Sequence, residues 1–194
     1  MAGDDLMDGM SSGRGGWSGD RIRAAITGSQ PLIEHFVDLD EQIQPNGFDL
    51  TLARIGKLVG PGVLPADSGG RQLPTIEDIP LPGDGSVVHL EPGPYQIGFN
   101  EVVRMPLGTM ALGRARSSLN RSGVTIHTAV WDAGYVGRST ALLSVLNPAG
   151  FAVGRDARVL QLIFFDLSHD ASAGYSGAYQ NENMTAPPGS GSTR

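Results

Sequence analysis

Residues 113–137 read GRARSSLNRSGVTIHTAVWDAGYVG, about two strand lengths rich in polar side chains and punctuated by glycines. Arg116, Ser117 and Ser118 supply a planar cation and two adjacent hydroxyl groups, which suit phosphate oxygens. Asp132 opens the sequence Asp-Ala-Gly-Tyr, a turn that can present a carboxylate beside an aromatic ring. An anion-binding group, a carboxylate and an aromatic ring in close succession predict a nucleotide site.

The composition of the chain limits the class of protein and the kinds of function that are possible. With 194 residues, 40% of them hydrophobic, the chain fits one domain with extensions. The net charge of −6 argues against general nucleic-acid binding, which relies on a basic face. The absence of cysteine excludes disulfides, thiol catalysis and Cys-coordinated zinc. The sequence has no apolar run long enough for a membrane span and no secretory signal, so we expect a cytoplasmic protein without a membrane partner.

Short elements extend in both directions from the central stretch. Ser18 predicts the start of a helix over residues 19–27. Over residues 48–53 apolar and polar side chains alternate, which predicts a half-buried strand. Further strands are predicted over 87–90, 95–99, 101–105, 110–114, 140–146 and 159–165. Many short strands separated by turn signals are typical of an antiparallel sandwich, jelly roll or small barrel.

The remaining segments predict a central β domain over residues 17–167 with two extensions. Residues 1–16 are rich in Gly, Ser and Asp and predict a disordered N-terminal extension. Residues 60–86 carry many prolines and glycines and predict a long loop or insertion. Residues 168–194 lose hydrophobic periodicity but contain tyrosines, which predicts a flexible tail or lid.

Several motifs, in order, resemble those of one known superfamily, that of trimeric dUTPases and dCTP deaminases, and are most similar to its archaeal-type branch. Each motif alone is weak, but their shared order is specific. The motifs are GDRIRAAI (19–26), LIEHF (32–36), QIQPNGFDL (42–50), ARSSL (115–119), VWDAGYVG (130–137), GRDARVLQLIF (154–164) and YSGAYQNEN (175–183).

The resemblance implies a mainly β fold, a distorted β-barrel or jelly roll (the dUTPase-like β-clip) with a short N-terminal helix. It also implies a homotrimer whose active sites lie between subunits. The implied reaction is hydrolysis of dUTP to dUMP and pyrophosphate, with Mg²⁺ bound mainly through the triphosphate. Asp132 would activate the water that attacks the α-phosphorus, a role that a carboxylate within hydrogen-bond reach of water can fill.

The resemblance also implies roles for other residues in binding the substrate. Tyr135 would pack under the deoxyribose, and Asp49 would lie near the water shell of Mg²⁺ without binding the metal directly. The backbone of residues 128–130 would read the pyrimidine edge. The implied substrate-binding residues are Arg116, Ser117, Ser118, Arg121, Thr128, Ala129, Val130, Tyr135, Gln161, Tyr179 and Gln180.

The strand after the third motif bears on which reaction occurs. The deaminase branch uses a glutamate there, but this chain has Thr140 and Leu142 at the two positions where it would fall. No acidic residue stands between Asp132 and Asp156. The sequence therefore favours dUTP diphosphatase activity over deamination. Two alternatives stay open: a dCTP deaminase, alone or bifunctional, and a catalytically weak dUTP-binding regulatory module.

Overall fold

A computed structural model describes residues 15–184, so the predictions for residues 1–14 and 185–194 lie outside it. The helices are α1 (Gly19–Ile26), α2 (Leu39–Gln42) and α3 (Ser117–Arg121), with a 3-10 helix over Ser68–Gly70. The strands are β1 (Ile33–Glu34), β2 (Ile43–Gln44), β3 (Gly47–Val59), β4 (Thr75–Ile79), β5 (Val87–Leu90), β6 (Gly93–Phe99), β7 (Val102–Arg104), β8 (Thr109–Ala115), β9 (Val124–His127), β10 (Val136–Gly137), β11 (Thr140–Val145), β12 (Phe151–Gly154) and β13 (Arg158–Asp166).

The strands form one large sheet and two small ones. The large sheet has the order β8-β13-β3-β6-β11-β9, and β2 and β4 also pair with β3. Its end strands, β8 and β9, lie beside each other, so the sheet closes almost completely into a barrel. The small sheets are β1-β7-β10 and β5-β12. This architecture confirms the predicted mainly β, barrel-like fold.

Strand β3 is buried more completely than its alternating sequence predicts. Phe48, Leu50 and Leu52 are buried, as expected. The intervening residues Asp49 and Thr51 are also almost inaccessible to water, so the prediction of a half-buried strand is wrong. The strand pairs with β13 and β6 along its two edges, and α1 and α2 contact it as well, which leaves little of it exposed to water.

Helix α1 and the residues just before it contact the end of strand β13. Ser18 caps it, since its hydroxyl accepts a hydrogen bond from the Arg21 amide. Trp17 packs on Phe164 and donates its indole N–H to Asp166 at 2.9 Å. Arg21 stacks over the Trp17 ring and forms an ion pair with Asp166 at 2.6 Å. These contacts join the start of the domain to the end of β13.

The segment over residues 60–86 is more ordered than predicted. It contains β4, which pairs antiparallel with residues 55–59 of β3. Ile76 and Ile79 are partly buried while Glu77 and Asp78 are exposed, so part of this segment packs against the barrel. The sequence indicated a loop or insertion here and gave no sign of this strand, because prolines and glycines flank its short sequence. None of the helices between residues 15 and 184 has the length and hydropathy of a membrane span.

Candidate functional site

The sequence Asp132-Ala-Gly-Tyr135 forms a tight turn beside a pocket. The Tyr135 amide donates to the Asp132 carbonyl at 3.1 Å, and Gly134 has a φ of +79°. Glycine is needed here because a side chain would be strained and its Cβ would lie 2.5 Å from the Cα of Gly174. The turn leaves Asp132 exposed and buries Tyr135.

The pocket has a volume of about 210 Å³. Ligand pockets that enclose drug-sized molecules measure roughly 300–1,000 Å³, so this one can hold only part of a nucleoside triphosphate. It combines one exposed carboxylate with three tyrosines from two parts of the chain. Its lining residues are Ala129, Val130, Trp131, Asp132, Tyr135, Ser139, Thr140, Tyr175, Tyr179 and Glu182.

A tyrosine–glutamate pair lies in the wall of this pocket. The Tyr135 hydroxyl donates to Glu182 Oε1 at 2.8 Å. Burial raises the pKa of Glu182, although the hydrogen bond from Tyr135 acts in the opposite direction. Burial, together with the neighbouring Glu182 carboxylate, also raises the pKa of Tyr135 well above its usual value. Tyr135 is therefore a protonated hydrogen-bond donor under all ordinary conditions.

The tail packs along the strand that follows the turn. Glu182 forms a parallel bridge with Gly137, and the Arg138 amide donates to the Glu182 carbonyl at 3.0 Å. Gln180 accepts from the Val136 amide at 2.9 Å and donates to the Gly134 carbonyl at 3.0 Å. The side chain of Gln180 thus holds the tail in place, whereas the resemblance implies contact with the triphosphate.

Arg138 connects the tail to the interior of the barrel. Its guanidinium donates to the Asn100 carbonyl at 3.0 Å and to the Asn183 carbonyl at 2.9 Å. The nearby carboxylate of Glu101 is buried and accepts hydrogen bonds from Gln42 and Thr51. Burial raises the pKa of Glu101 to about 7. A polar network therefore runs from β3 to the tail.

A second group of functional side chains, which we call the arginine cluster, consists of Asp49, Arg116 and Arg158. Asp49 Oδ2 lies 3.1 Å from Arg116 Nε and 3.8 Å from Arg158 Nη1. Within residues 15–184 neither Asp49 oxygen has a hydrogen-bond partner. Burial raises the pKa of Asp49, and the two arginines partly oppose that shift. The carboxylate of Asp49 is thus enclosed by the barrel and the two arginines.

The phosphate-binding candidates do not line the pocket, and one of them, Arg116, belongs to the arginine cluster. Ser117 and Ser118 begin α3, and Arg121 ends it; all three are exposed. This short helix was not predicted, and it is anchored by the buried Leu119. Gln161 on β13 lies opposite Asp49 on β3 in the strand register.

The single chain thus divides the predicted site residues into two groups. The pocket contains Ala129, Val130, Asp132, Tyr135 and Tyr179. The residues that do not line it are Arg116, Ser117, Ser118, Arg121, Thr128, Gln161 and Gln180. Trp131, next to Asp132, is buried and donates to the Ser139 hydroxyl, so it belongs to the core.

Sequence reasoning missed four further side chains: Arg158, Tyr175, Glu182 and Arg71. A buried aspartate in an apolar strand requires a partner, and this requirement could have directed attention to Arg158. Glu182 lies within the tail motif, where we considered only the tyrosine and glutamine. Arg71 approaches the tail from the 60–86 segment, with its Cζ 5.5 Å from the centre of the Tyr179 ring. The sequence around Arg71 gives no indication of its contact with Tyr179.

Comparisons with known proteins identify relatives that match most of this chain. A curated protein from Methanosarcina mazei, named as a probable deoxyuridine 5'-triphosphate nucleotidohydrolase, is 45% identical over 86% of this chain and 96% of its own length. Proteins with the same name from Methanococcoides burtonii and Archaeoglobus fulgidus are 42% and 44% identical, over 86% of this chain and 98% and 96% of theirs.

The fold is also similar to a crystal structure of 2'-deoxycytidine 5'-triphosphate deaminase from Agrobacterium tumefaciens. The two superpose with a TM-score of 0.61 at 24% identity, over 78% of this chain. This chain spans 48% of that longer chain, so the likeness concerns the fold. The family model described as dCTP deaminase-like matches residues 17–167. The protein belongs to the dCTP deaminase-like family, together with these archaeal relatives.

Proposed function

We propose that the protein is a cytoplasmic dUTP diphosphatase, which hydrolyses dUTP to dUMP and pyrophosphate. The observation that carries the proposal is that several relatives named as probable dUTP nucleotidohydrolases are 42–45% identical to this chain over most of both chains. The pocket supports it, because Asp132 is an exposed carboxylate beside a buried tyrosine.

In this reaction Asp132 acts as the general base. It accepts a proton as a water oxygen attacks the α-phosphorus, and the bond from that phosphorus to the α–β bridging oxygen breaks to release pyrophosphate. The Tyr135 ring packs against the deoxyribose, so that a ribose 2'-hydroxyl meets steric resistance. The backbone of Thr128, Ala129 and Val130 pairs with the uracil edge.

The phosphate groups are bound by Arg116, Ser117, Ser118 and Arg121, with Gln161 as an additional donor. Because these residues do not line the small pocket of their own chain, we place them in the site of a neighbouring subunit of a homotrimer. Asp49 contributes by orienting the Arg116 guanidinium through their 3.1 Å contact. Gel filtration with light scattering tests the trimer.

Mg²⁺ fits this site as an ion carried by the nucleotide. Among residues 15–184 no three His, Asp or Glu side chains cluster as a set of metal ligands. Mg²⁺ retains waters readily and binds phosphate oxygens, so a triphosphate can supply the coordination that side chains do not. When bound, the ion neutralises charge on the phosphates; Arg116 and Asp132 orient the nucleotide and the water.

Strand β11 favours this reaction over deamination. It reads TALLSV over residues 140–145, and its pocket-lining member is Thr140, which cannot shuttle protons to cytosine. Purified protein should release pyrophosphate from dUTP in the presence of Mg²⁺, far faster than from dCTP, dTTP or UTP. Ammonia release from dCTP would instead establish a deaminase, and tight dUTP binding without turnover would establish a binding module.

A further inference from the structure

The contact between Tyr135 and Glu182 joins the third motif to the tail inside the pocket. The hydroxyl–carboxylate distance is 2.8 Å, and the tyrosine is only 5% exposed. On its other side the Tyr135 ring meets the Tyr175 ring edge-on, with centroids 5.8 Å apart. Two residues near or within the tail therefore fix both the ring and the hydroxyl of Tyr135.

The backbone next to the Tyr135–Glu182 pair lies very close to both side chains. A Cβ added at Gly137 would lie 2.6 Å from the Tyr135 hydroxyl oxygen and 3.2 Å from Glu182 Cγ. Glycine at this position leaves room for the pair. The Glu182 carbonyl accepts from the Arg138 amide at 3.0 Å, so the residue is held by its main chain and its side chain together.

We propose that Glu182 is a positioning residue: its carboxylate locks the Tyr135 ring and seats residues 177–183 against residues 136–138. This inference rests on the proposed function, in which Tyr135 packs against the deoxyribose. The tail thereby brings a second acidic side chain into the pocket beside Asp132, whereas β11 contributes none.

Seating of the tail should depend on pH through Glu182. The other titratable or charged groups around it are Asp132, Tyr135, Tyr175 and Tyr179 in the pocket, and Arg138 beside the tail. Burial raises the pKa of Glu182 in the seated state, so that state holds the proton more tightly than the released tail does. The part of the Glu182 contribution that depends on the bound proton is complete below the ordinary pKa of Glu182 and is lost as pH rises through the raised value, whereas either form of the carboxyl group can accept the hydrogen bond from Tyr135.

Amide hydrogen exchange at Val136 and Arg138, followed by NMR on the full chain without nucleotide, tests the proposal directly. These amides donate to Gln180 and Glu182, so their exchange reports tail release. Glu182→Ala should speed exchange by about tenfold, because it removes the hydrogen bond that Tyr135 donates. Tyr135→Phe should do the same, and the double variant should add little to either change.

Glu182→Gln is the matched variant, because its amide oxygen still accepts from Tyr135 but carries no charge. It should retain protection, and its exchange relative to the original protein should slow as pH rises. It should also restore the dUTP KM, which we expect Glu182→Ala to raise about tenfold with a smaller change in kcat. The exposed Ser176→Ala substitution in the same tail is the control and should change neither quantity.

Unchanged exchange in Glu182→Ala would overturn the proposal, as would a Gln variant that loses as much protection as the Ala variant. The exchange measurement needs no substrate. A protein that fails to hydrolyse dUTP would therefore refute the proposed function and leave this test intact.

Discussion

Asp49 and Glu182 are both carboxylates withdrawn from water, in regions of different construction. Asp49 lies on the long central strand β3, faces two arginines, and has no hydrogen-bond partner among residues 15–184. Glu182 lies in the tail and accepts a hydrogen bond from Tyr135. Removing Asp49 from its place would require opening the barrel, whereas releasing Glu182 requires only local separation of the tail. The first region is part of the barrel scaffold, whereas the second can separate locally, and we propose that they bind phosphate groups and close over the site, respectively.

The largest effect on activity should come from substituting Asp132, an exposed carboxylate that belongs to neither region. Asp132→Asn should reduce turnover of dUTP by ~10²–10⁴, because an amide cannot accept the proton of the attacking water. Pyrophosphate release and calorimetric dUTP binding should separate loss of chemistry from loss of affinity. Asp20→Asn, on α1 and outside the pocket, is the control. Unchanged turnover would exclude Asp132 as the base.

Asp49→Ala should test whether the arginine cluster is part of the scaffold. It leaves two guanidinium groups without the carboxylate between them, and because both arginine side chains are partly exposed we expect a loss of about 1–3 kcal/mol. Urea denaturation should show that loss in the free energy of unfolding. Exposed Asp84→Ala provides the comparison. A loss below about 1 kcal/mol would mean that Asp49 contributes little to stability, as surface pairs do.

Deleting residues 175–194 should test the reversible region as a whole. It removes the Gln180, Glu182 and Asn183 contacts, so we expect at least about a tenfold fall in kcat/KM while the barrel remains folded. Circular dichroism and the yield of soluble protein should remain near those of the full chain. Insoluble or unfolded protein would show that the tail is part of the scaffold.

The smallest effect should come from Arg71, which reaches the tail from the 60–86 segment. A cation over an exposed aromatic ring contributes roughly 0.5–1 kcal/mol, so Arg71→Ala should raise the dUTP KM about two- to fivefold with little change in kcat. Arg71→Lys should be intermediate. A change in kcat comparable to that caused by the tail deletion would assign Arg71 a direct role at the substrate.

Local sequence patterns predicted those helices and turns whose conformation depends on their own residues and not on contacts with distant parts of the chain. The start of α1 follows from Ser18, and the turn at Asp132 follows from Gly134, whose positive φ disfavours other residues. Strand β4 was missed because glycines and prolines flank its short sequence. Helix α3 was missed because it is also short and closely follows a predicted strand. The burial of Asp49 could not be predicted, because it depends on contacts with residues distant in sequence, among them Arg116 and Arg158.

The sequence predicted which residues form part of the candidate site better than it predicted the contacts among them. The motifs identified Asp132 and Tyr135, which do lie together in the pocket. Local spacing could not indicate that Gln180 bonds to backbone groups of the turn, or that Glu182 reaches Tyr135, since each contact spans more than 40 residues. The path of the tail in the folded protein determines which of its residues contact the turn.

The junction between α1 and β13 constrains the order in which the chain can fold. Trp17 and Asp166, joined by a hydrogen bond, are 149 residues apart in sequence. During synthesis from the N-terminus, Trp17 must therefore remain without its native partner until β13 has left the ribosome. Contacts of such long range slow folding, because loop closure precedes any compensating interaction. The burial of Trp17 thus marks completion of the barrel, and a nascent chain that stops before residue 158 lacks the strand needed to bury it.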